Sequence, residues 1–238
     1  MNLRFDTSFF FFGCAKTLEE QALALIGNPD EMNLPVYVAV KRLKLNKKYN
    51  AYFKKIFNSE PTAEHLAKAI AAFERTLETS DSPFDNWKLF DDATAVSDAV
   101  KRGFIVFNEK GKCVKCHFGS DFTTHEFRNI GLFDGKKLND SGRSVVTRNK
   151  DDIGKFKTPG LRNAAITAPY MHNGMLKTLK EVIEFYNETE KIVSNPINKD
   201  TILTNSLGLT SQEKKDLEAF LHSLTDKQFT DVVNKQQF

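Results

Sequence analysis

The chain has 238 residues, of which 40% are hydrophobic and 27% are charged. These values are ordinary for a globular protein of one or two domains and exclude a disordered, collagen-like or fibrous chain. The net charge of +3 is too balanced for a dedicated nucleic-acid-binding protein, and the longest apolar run, residues 9–12, is far shorter than the ~20 residues of a transmembrane helix.

The first third of the chain has the spacing of helices. Thr17 and Glu20 form a capping-box pattern, which predicts a helix that ends near Ile26. Thr62 is a second N-cap candidate, and the apolar residues after it recur at intervals of three and four, which predicts a helix that ends near Glu78. The residues expected on one face of that helix are Leu66, Ile70, Phe73 and Leu77.

A basic stretch lies between these two helices and is interleaved with Tyr49, Tyr52 and Phe53. Its basic residues are Lys41, Arg42, Lys44, Lys47, Lys48, Lys54 and Lys55. Helical spacing puts the aromatic residues on one side and the lysines on the other, which is the usual pattern of a solvated helix face. We therefore prefer this interpretation to a nucleic-acid-binding surface.

Residues 80–92 have the composition of a linker, which predicts a first domain over residues 1–85 and a second over residues 86–238. The second portion opens with helical spacing that predicts a helix over residues 93–107. The apolar residues that define it are Val96, Val100, Phe104 and Phe107.

Residues 118–173 lack periodicity, and a loop of this length is uncommon in a compact domain unless it wraps something. A large bound cofactor would supply the missing core. Capping boxes at residues 178–181 and 210–213 then predict two further helices. Their inward-facing residues are expected to be Leu179, Val182, Ile183, Tyr186, Leu217, Phe220, Leu221 and Leu224. Strand alternation is almost absent, so we predict an all-α fold with long loops.

Residues 113–117 read Cys-Val-Lys-Cys-His, the attachment motif of a c-type haem. In such a site the thiols of Cys113 and Cys116 bind the two vinyl groups of one porphyrin, and His117 becomes the proximal ligand of the iron. A zinc site would need two further Cys or His ligands, and the remaining histidines offer no such pair. A thioredoxin-type pair would follow a strand rather than a helix and a Lys/Gly loop. The motif therefore predicts one covalent haem c.

Five further segments accompany the motif in a characteristic order. They read Thr-Leu-Glu-Glu-Gln-Ala at 17–22, Asn-Pro-Asp-Glu-Met at 28–32, Ala-Phe-Glu-Arg-Thr-Leu at 72–77, Phe-Lys-Thr-Pro-Gly-Leu-Arg-Asn at 156–163 and Thr-Ala-Pro-Tyr-Met-His-Asn-Gly at 167–174. Together they resemble the bacterial di-haem cytochrome c peroxidase and MauG superfamily over about residues 5–226. The resemblance implies two fused cytochrome c domains, with one haem each and calcium between them. It also implies peroxide reduction at the N-terminal haem by electrons that enter at the C-terminal one.

On that pattern, the motif at Cys113 is the electron-entry haem. The family's first motif should precede Phe5, so we expect the chain to lack most of the first haem domain and the secretion signal, unless a neighbouring polypeptide supplies them. The first residues resemble a lipoprotein signal only faintly. Phe11-Phe12-Gly13-Cys14 stands where the family usually reads Trp-Asp-Gly-Arg, so Phe replaces the aromatic residue expected between the haems.

The resemblance also implies roles for residues near the second haem. Tyr186 matches the position of the other axial ligand, where peroxidases carry Met and MauG-like members carry Tyr. Met171 and Met175 are rival ligands, and Tyr186 is alternatively one more residue of an apolar helix face. His172 is expected either beside the haem as a hydrogen-bond donor or as an ordinary core histidine.

Other site residues are implied by the resemblance alone. Glu31 and Gln21 match the distal acid and its neighbour in the peroxidatic pocket, where a carboxylate moves a proton between the two peroxide oxygens. The alternative for Glu31 is an exposed acid after a turn. Thr167 and Pro169 match positions whose backbone carbonyls bind calcium.

The implied function is that of a periplasmic haem c peroxidase, which takes electrons from a small redox protein, a cytochrome c or a cupredoxin, and reduces hydrogen peroxide. Lys110, Lys112 and Lys115 surround the motif and are expected to steer an acidic donor to it. The rival functions are a non-enzymatic, mono-haem electron carrier and a MauG-like protein-oxidising enzyme. A homodimer is a candidate oligomeric state.

Overall fold

The computed structural model describes residues 2–3, 6 and 8–229. The chain divides into two compact units, Met1–Glu78 and Thr79–Phe238. The helices described in the first unit are α1 (Leu18–Gly27), α2 (Val36–Leu45), α3 (Lys47–Phe57) and α4 (Ala63–Arg75). Those described in the second unit are α5 (Pro83–Leu89), α6 (Asp98–Asn108), α7 (Ser144–Thr147), α8 (Leu179–Asn187) and α9 (Ser211–Ser223).

The long stretch without periodicity contains only short elements. Two strands, β1 (Phe127–Arg128) and β2 (Phe156–Lys157), pair antiparallel, with Phe127 opposite Lys157. Short 3₁₀ helices lie at Cys113–Lys115, Lys150–Asp152, Ala164–Ile166, Thr189–Lys191 and Thr201–Leu203. The prediction of an all-α fold with long loops is therefore confirmed, with one two-stranded ribbon among the residues that the structure describes.

In the first unit, α1 packs against α4. Thr17 caps α1 by accepting a hydrogen bond from the backbone N–H of Glu20, as its pattern predicts. An ion pair fixes the outer edge of the two helices, with Arg75 Nη1 2.8 Å from Glu19 Oε1. The core between them consists of Phe9, Ala15, Leu18 and Ala71. The predicted apolar face of α4 is partly wrong, because small alanines make the close contact and Phe73 is 62% exposed.

The basic stretch forms α2 and α3, which are joined at Asn46. The side chain of Asn46 accepts hydrogen bonds from the backbone N–H groups of Lys48 and Tyr49 and so begins α3. Phe53 is buried, whereas Tyr49 and Tyr52 remain about half exposed. Because α3 packs mainly against α2, it has only a narrow buried face. The prediction that the aromatic residues lie on the side of the helix away from solvent is therefore correct only for Phe53.

Residues 80–92 were expected to form a linker, and this prediction is wrong. Ser82 and Asp85 form a complete capping box with Pro83 in the first turn, which begins α5. The backbone N–H groups of Ser80 and Asp81 both donate to Asp226 Oδ2 at 2.9 Å. These bonds join the segment to the second unit, so the units divide earlier in the chain than residue 85.

The core of the second unit lies where α6 packs against α9. Gly103 permits the close approach, because a Cβ there would lie 1.9 Å from the backbone oxygen of Asp216. The inward residues predicted for α9, which are Leu217, Phe220, Leu221 and Leu224, are all buried. A cluster of aromatic rings continues this core and consists of Phe84, Trp87, Phe104, Phe107, Phe122 and Phe220. Among the described residues, no helix has the length and apolar character needed to cross a bilayer.

Candidate functional site

The Cys-x-x-Cys-His motif begins directly after α6, and a close turn connects the two. The backbone N–H of Gly111 donates to the carbonyl of Val106 at 2.7 Å. A Cβ on Gly111 would lie 2.7 Å from that oxygen and 3.2 Å from Cys113 Sγ, so the turn requires glycine. Cys113–Lys115 then form one turn of 3₁₀ helix, closed by the N–H of Cys116 on the carbonyl of Cys113. This turn places the two thiols at positions i and i+3, on the same side of the chain.

His117 follows at once, and its imidazole has a defined tautomer. Its Nδ1 atom lies 2.8 Å from the backbone oxygen of Phe122. Because a carbonyl oxygen can only accept, Nδ1 donates, and Nε2 keeps its lone pair for a metal. Burial lowers the pKa of His117, and the backbone carbonyls of Phe122 and Pro159 oppose that shift. The ring is therefore presented as a neutral imidazole, which is the form that binds iron.

The two motif thiols are free and differ in their surroundings. Burial raises the pKa of Cys113 to about 12. Burial also raises the pKa of Cys116, although the positive charge of Arg128 acts in the opposite direction. Arg128 is itself held by Asp200, with Nη1 2.8 Å from Oδ2. Both cysteines are thus free and protonated at neutral pH.

Tyr186 packs against the same hydrophobic cluster as Cys113. It belongs to α8, whose capping box at Thr178 and Glu181 is present as predicted. Burial is the main reason that the pKa of the Tyr186 phenol is raised, and ionisation of the nearby Cys116 or Cys113 would raise it further. The ring also packs against both hydrophobic clusters of the second unit. The structure thus places Tyr186 near the motif and in the apolar face of α8 at the same time.

The rival ligands lie in a hairpin closed by an isolated bridge between Tyr170 and Leu176. Met171 and Met175 are half-buried and pack in the hydrophobic cluster around Phe185. His172 stacks on Phe156, with ring centroids 3.7 Å apart, and burial lowers its pKa. The packing of both methionines and the stacking of His172 are what ordinary core residues show.

The other expected site residues are spread more widely. Glu31 is exposed and Gln21 is half-buried, and both belong to the first unit. Thr167 and Pro169 are exposed just after the 3₁₀ helix at Ala164–Ile166. In the second unit the thiols, the imidazole and Tyr186 come together, and this donor set fits a covalently attached haem c.

The three lysines around the motif, Lys110, Lys112 and Lys115, are all exposed. Lys110 is bound in an ion pair with Glu213. Its charge is therefore already compensated by a residue of α9.

Three residues of this site could not be found from the motif alone. They are Phe122, whose carbonyl receives His117, Arg128 beside Cys116, and Asp85, which binds Arg162. Only Asp85 had a sequence signal, since Ser82-Pro83-x-Asp85 is itself a helix-start pattern.

Comparison with known proteins gives a consistent result. Residues 1–94 match the family described as di-haem cytochrome c peroxidase. The chain is 38% identical to the methylamine utilization protein MauG of Methylorubrum extorquens, covering 94% of this chain and 62% of that protein. It is 34% identical to the cytochrome-c peroxidase IdrP1 of Denitromonas iodatirespirans, covering 94% of this chain and 67% of that protein.

A solved structure agrees with these relatives. The crystal structure of a MauG-like protein associated with microbial copper homeostasis superposes with a TM-score of 0.82 at 33% identity, over 93% of this chain and 73% of that one. The chain spans 62% and 66% of the length of the MauG proteins of M. extorquens and Methylophilus methylotrophus.

Proposed function

The chain belongs to the di-haem cytochrome c peroxidase and MauG family, and from this premise we propose that it carries haem c and passes electrons from a small redox protein towards hydrogen peroxide reduction. The observation that carries the proposal is the single turn that presents two thiols and is followed by an imidazole whose Nδ1 donates to the carbonyl of Phe122. The proposed compartment is the periplasm, where such haems are attached.

In this proposal the chain's residues have separate tasks. Cys113 and Cys116 would hold the porphyrin through two thioethers, and His117 would bind the iron through Nε2. Tyr186 is a second proposed ligand of the iron. A haem bound in this way supplies one-electron transfer at a potential that the axial ligands set. The carbonyls of Thr167 and Pro169 are the proposed share of a calcium site, because hard oxygen ligands suit that ion.

The reduction of one hydrogen peroxide to two water molecules takes two electrons and two protons. We propose a cytochrome c or a cupredoxin as the electron donor, and the family's other haem as the place where peroxide is reduced. Glu31 is the proposed residue that takes a proton from one peroxide oxygen and returns it to the other, and Gln21 matches the neighbouring position of that pocket in the family. Glu31 is exposed, so a proton can reach it from solvent.

A second candidate is MauG-like oxidation of a protein substrate. It is favoured by the residue at position 186, which is Tyr as in MauG-like members and lies beside the two motif thiols. A phenolate ligand favours ferric iron and lowers the reduction potential relative to a thioether. Such a haem is a poorer electron acceptor from a cytochrome, so the measured potential separates the two candidates.

The test is to express the chain with export to the periplasm of a bacterium that makes c-type cytochromes. We expect a Soret band and a mass increase of one haem, both abolished in C113S/C116S. The matched control is C14S, because Cys14 is the third cysteine and belongs to the first unit. Turnover of peroxide with a reduced cytochrome c or cupredoxin supports the peroxidase. Reversible redox cycling without turnover favours a carrier, and a colourless protein of unaltered mass contradicts the proposal.

A further inference from the structure

A buried ion pair joins α5 to the segment that follows β2. Arg162 Nη1 donates to Asp85 Oδ2 at 2.8 Å, and Nη2 donates to Oδ1 at 2.9 Å. The Asp85 carboxylate is 1% exposed and also accepts hydrogen bonds from the backbone N–H and the hydroxyl of Ser82, at 3.0 and 2.7 Å. A carboxylate with this many bonds holds the guanidinium in one orientation.

The third nitrogen of the same guanidinium reaches the loop that follows the haem motif. Arg162 Nε donates to the backbone oxygen of Ser120 at 2.9 Å and lies 3.3 Å from the Asp121 carboxylate. The backbone N–H of Leu161 donates to the carbonyl of Asp121. Gly160 makes this approach possible, because a Cβ there would lie 2.9 Å from that oxygen. Segment 160–162 therefore clamps residues 120 and 121.

The next residue in the loop is Phe122, whose carbonyl accepts the hydrogen bond from His117. Phe122 has a positive φ of 54°, which is uncommon for a bulky residue and requires support from its surroundings. Its backbone N–H donates to the carbonyl of Gly119, and its buried ring packs against Phe84 at 5.3 Å. Phe84 precedes Asp85 in α5, so the same helix supports the loop through a ring and through a carboxylate.

We propose that Asp85 and Arg162 are positioning residues for the haem ligand His117, which they orient through residues 120–122. This inference rests on the proposed function, because it concerns a histidine that binds iron. In metal sites the hydrogen bond on the second ring nitrogen fixes the tautomer and plane of the imidazole and raises its basicity. In this protein the acceptor is the backbone carbonyl of Phe122, so its position depends on the contacts that hold residues 120–122. Arg162 is the charged side chain that makes such contacts.

An ion pair with a purely structural role would stabilise the second unit without affecting the orientation of His117. The pair of Arg102 and Asp216 is an example that can serve as a control. Arg102 Nε and Nη2 donate to Asp216 at 2.8 and 2.9 Å, and Asp216 is 2% exposed. This pair joins α6 to α9. Among the described residues, its hydrogen bonds reach none of residues 118–122. The guanidinium of Arg102 is more exposed than that of Arg162, but the carboxylates are equally buried.

The experiment compares D85N with D216N in the haem-loaded protein. The readouts are the EPR g-values of the ferric haem, which report the plane and basicity of the axial imidazole, and the midpoint potential. In D85N we expect altered g-values and a more positive potential, because a weaker hydrogen bond on Nδ1 makes His117 a poorer donor. In D216N we expect wild-type g-values and potential, with loss of thermal stability alone.

R162K serves as a second variant if D85N does not accumulate. It keeps a cation beside Asp85 but cannot bind the carboxylate and the Ser120 oxygen with one rigid fork. We expect the same direction of change as in D85N. Wild-type g-values and potential in a haem-loaded D85N or R162K overturn this inference and leave the proposed function intact. A wild-type protein without covalent haem overturns both.

Discussion

The Nζ atom of Lys110 lies 2.7 Å from a carboxylate oxygen of Glu213, at the N-terminal end of α9. Lys112 and Lys115 are also exposed around the motif, whereas the charge of Lys110 is compensated by Glu213. We expect K112E/K115E to lower the second-order rate of reduction by an acidic redox protein about tenfold at low salt. K110A should change it much less, because Glu213 already offsets that charge. Stopped-flow kinetics over a range of ionic strengths check this, and a rate independent of salt contradicts electrostatic docking.

Replacing Tyr186 by Phe removes one buried hydroxyl near the motif thiols. If Tyr186 binds iron, the ferric absorption and EPR spectra of Y186F change and the midpoint potential rises. Y170F is the matched control, since the hydroxyl of half-buried Tyr170 donates to the carbonyl of Ala164 instead. An unchanged ferric spectrum in Y186F shows that Tyr186 belongs only to the apolar face of α8.

Glu31 is the residue proposed to move a proton between the peroxide oxygens. In protein that reduces peroxide, E31Q should lower kcat by about 10²-fold or more, because the amide cannot take up a proton. The haem spectrum should stay unchanged. E64Q is the control, since Glu64 is another exposed acid of the first unit and pairs with Lys68. Equal activity of E31Q and wild type would show that Glu31 is only a surface residue.

The stability of the second unit should depend on acid through Asp85. Burial raises the pKa of Asp85, but hydrogen bonds from Arg162 and Ser82 outweigh it and hold the pKa below its ordinary value of 3.8. A carboxyl with a lower pKa in the folded state favours folding above the unfolded-state value, and this contribution is lost as the pH falls through the folded value. We therefore expect the free energy of unfolding to fall below about pH 4.

Denaturant unfolding of the apo chain between pH 7 and pH 2 checks this. D85N should be less stable at pH 7 and lose less stability on acidification. The exposed Asp98, which pairs loosely with Lys101, provides the control D98N, with a profile close to wild type. A D85N profile parallel to wild type contradicts the assignment to Asp85.

Gly103 fixes the crossing of α6 and α9. In G103A the new methyl group would lie 1.9 Å from the backbone oxygen of Asp216 and 2.9 Å from Phe220 Cβ, so the helices must separate. We expect a loss of about 3 kcal/mol in the free energy of unfolding, at the upper end for overpacked cores. G27A is the control, because nothing lies within 4 Å of its new atom, and a helical Gly→Ala change costs nothing or stabilises. Guanidinium unfolding of both variants measures the difference.

The sequence correctly predicted those features that depend on contacts between residues close together in the chain, such as helix caps. Thr62, Thr178 and Thr210 all cap helices through hydrogen bonds within three residues, and such bonds can be read from spacing alone. The inward face of α9 was also correct, because four apolar residues leave that helix only one way to pack. The Cys-x-x-Cys-His motif likewise encodes its own turn.

The wrong predictions for Phe73 and for residues 80–92 have a shared physical cause. Each depends on which distant part of the chain packs against the helix. Phe73 has the right spacing for a buried face, but α1 contacts the small side of α4, where Ala71 lies. Ser82 and Asp85 looked like linker residues because they are polar, and their burial depends on Arg162, which comes much later in the chain. Contacts between distant residues of this kind leave no periodic signal, so the support of His117 could be recognised only in three dimensions.

The ring cluster of the second unit also gives the protein an intrinsic optical reporter. Trp87 is the one tryptophan in the sequence, and its indole lies 6.0 Å from the ring of Phe84 and 5.8 Å from that of Phe104. Tryptophan fluorescence therefore reports on the folding of the second unit and not on that of the first. A porphyrin absorbs where indole emits, so attachment at Cys113 and Cys116 would quench this light. Maturation could thus be timed in unlabelled protein.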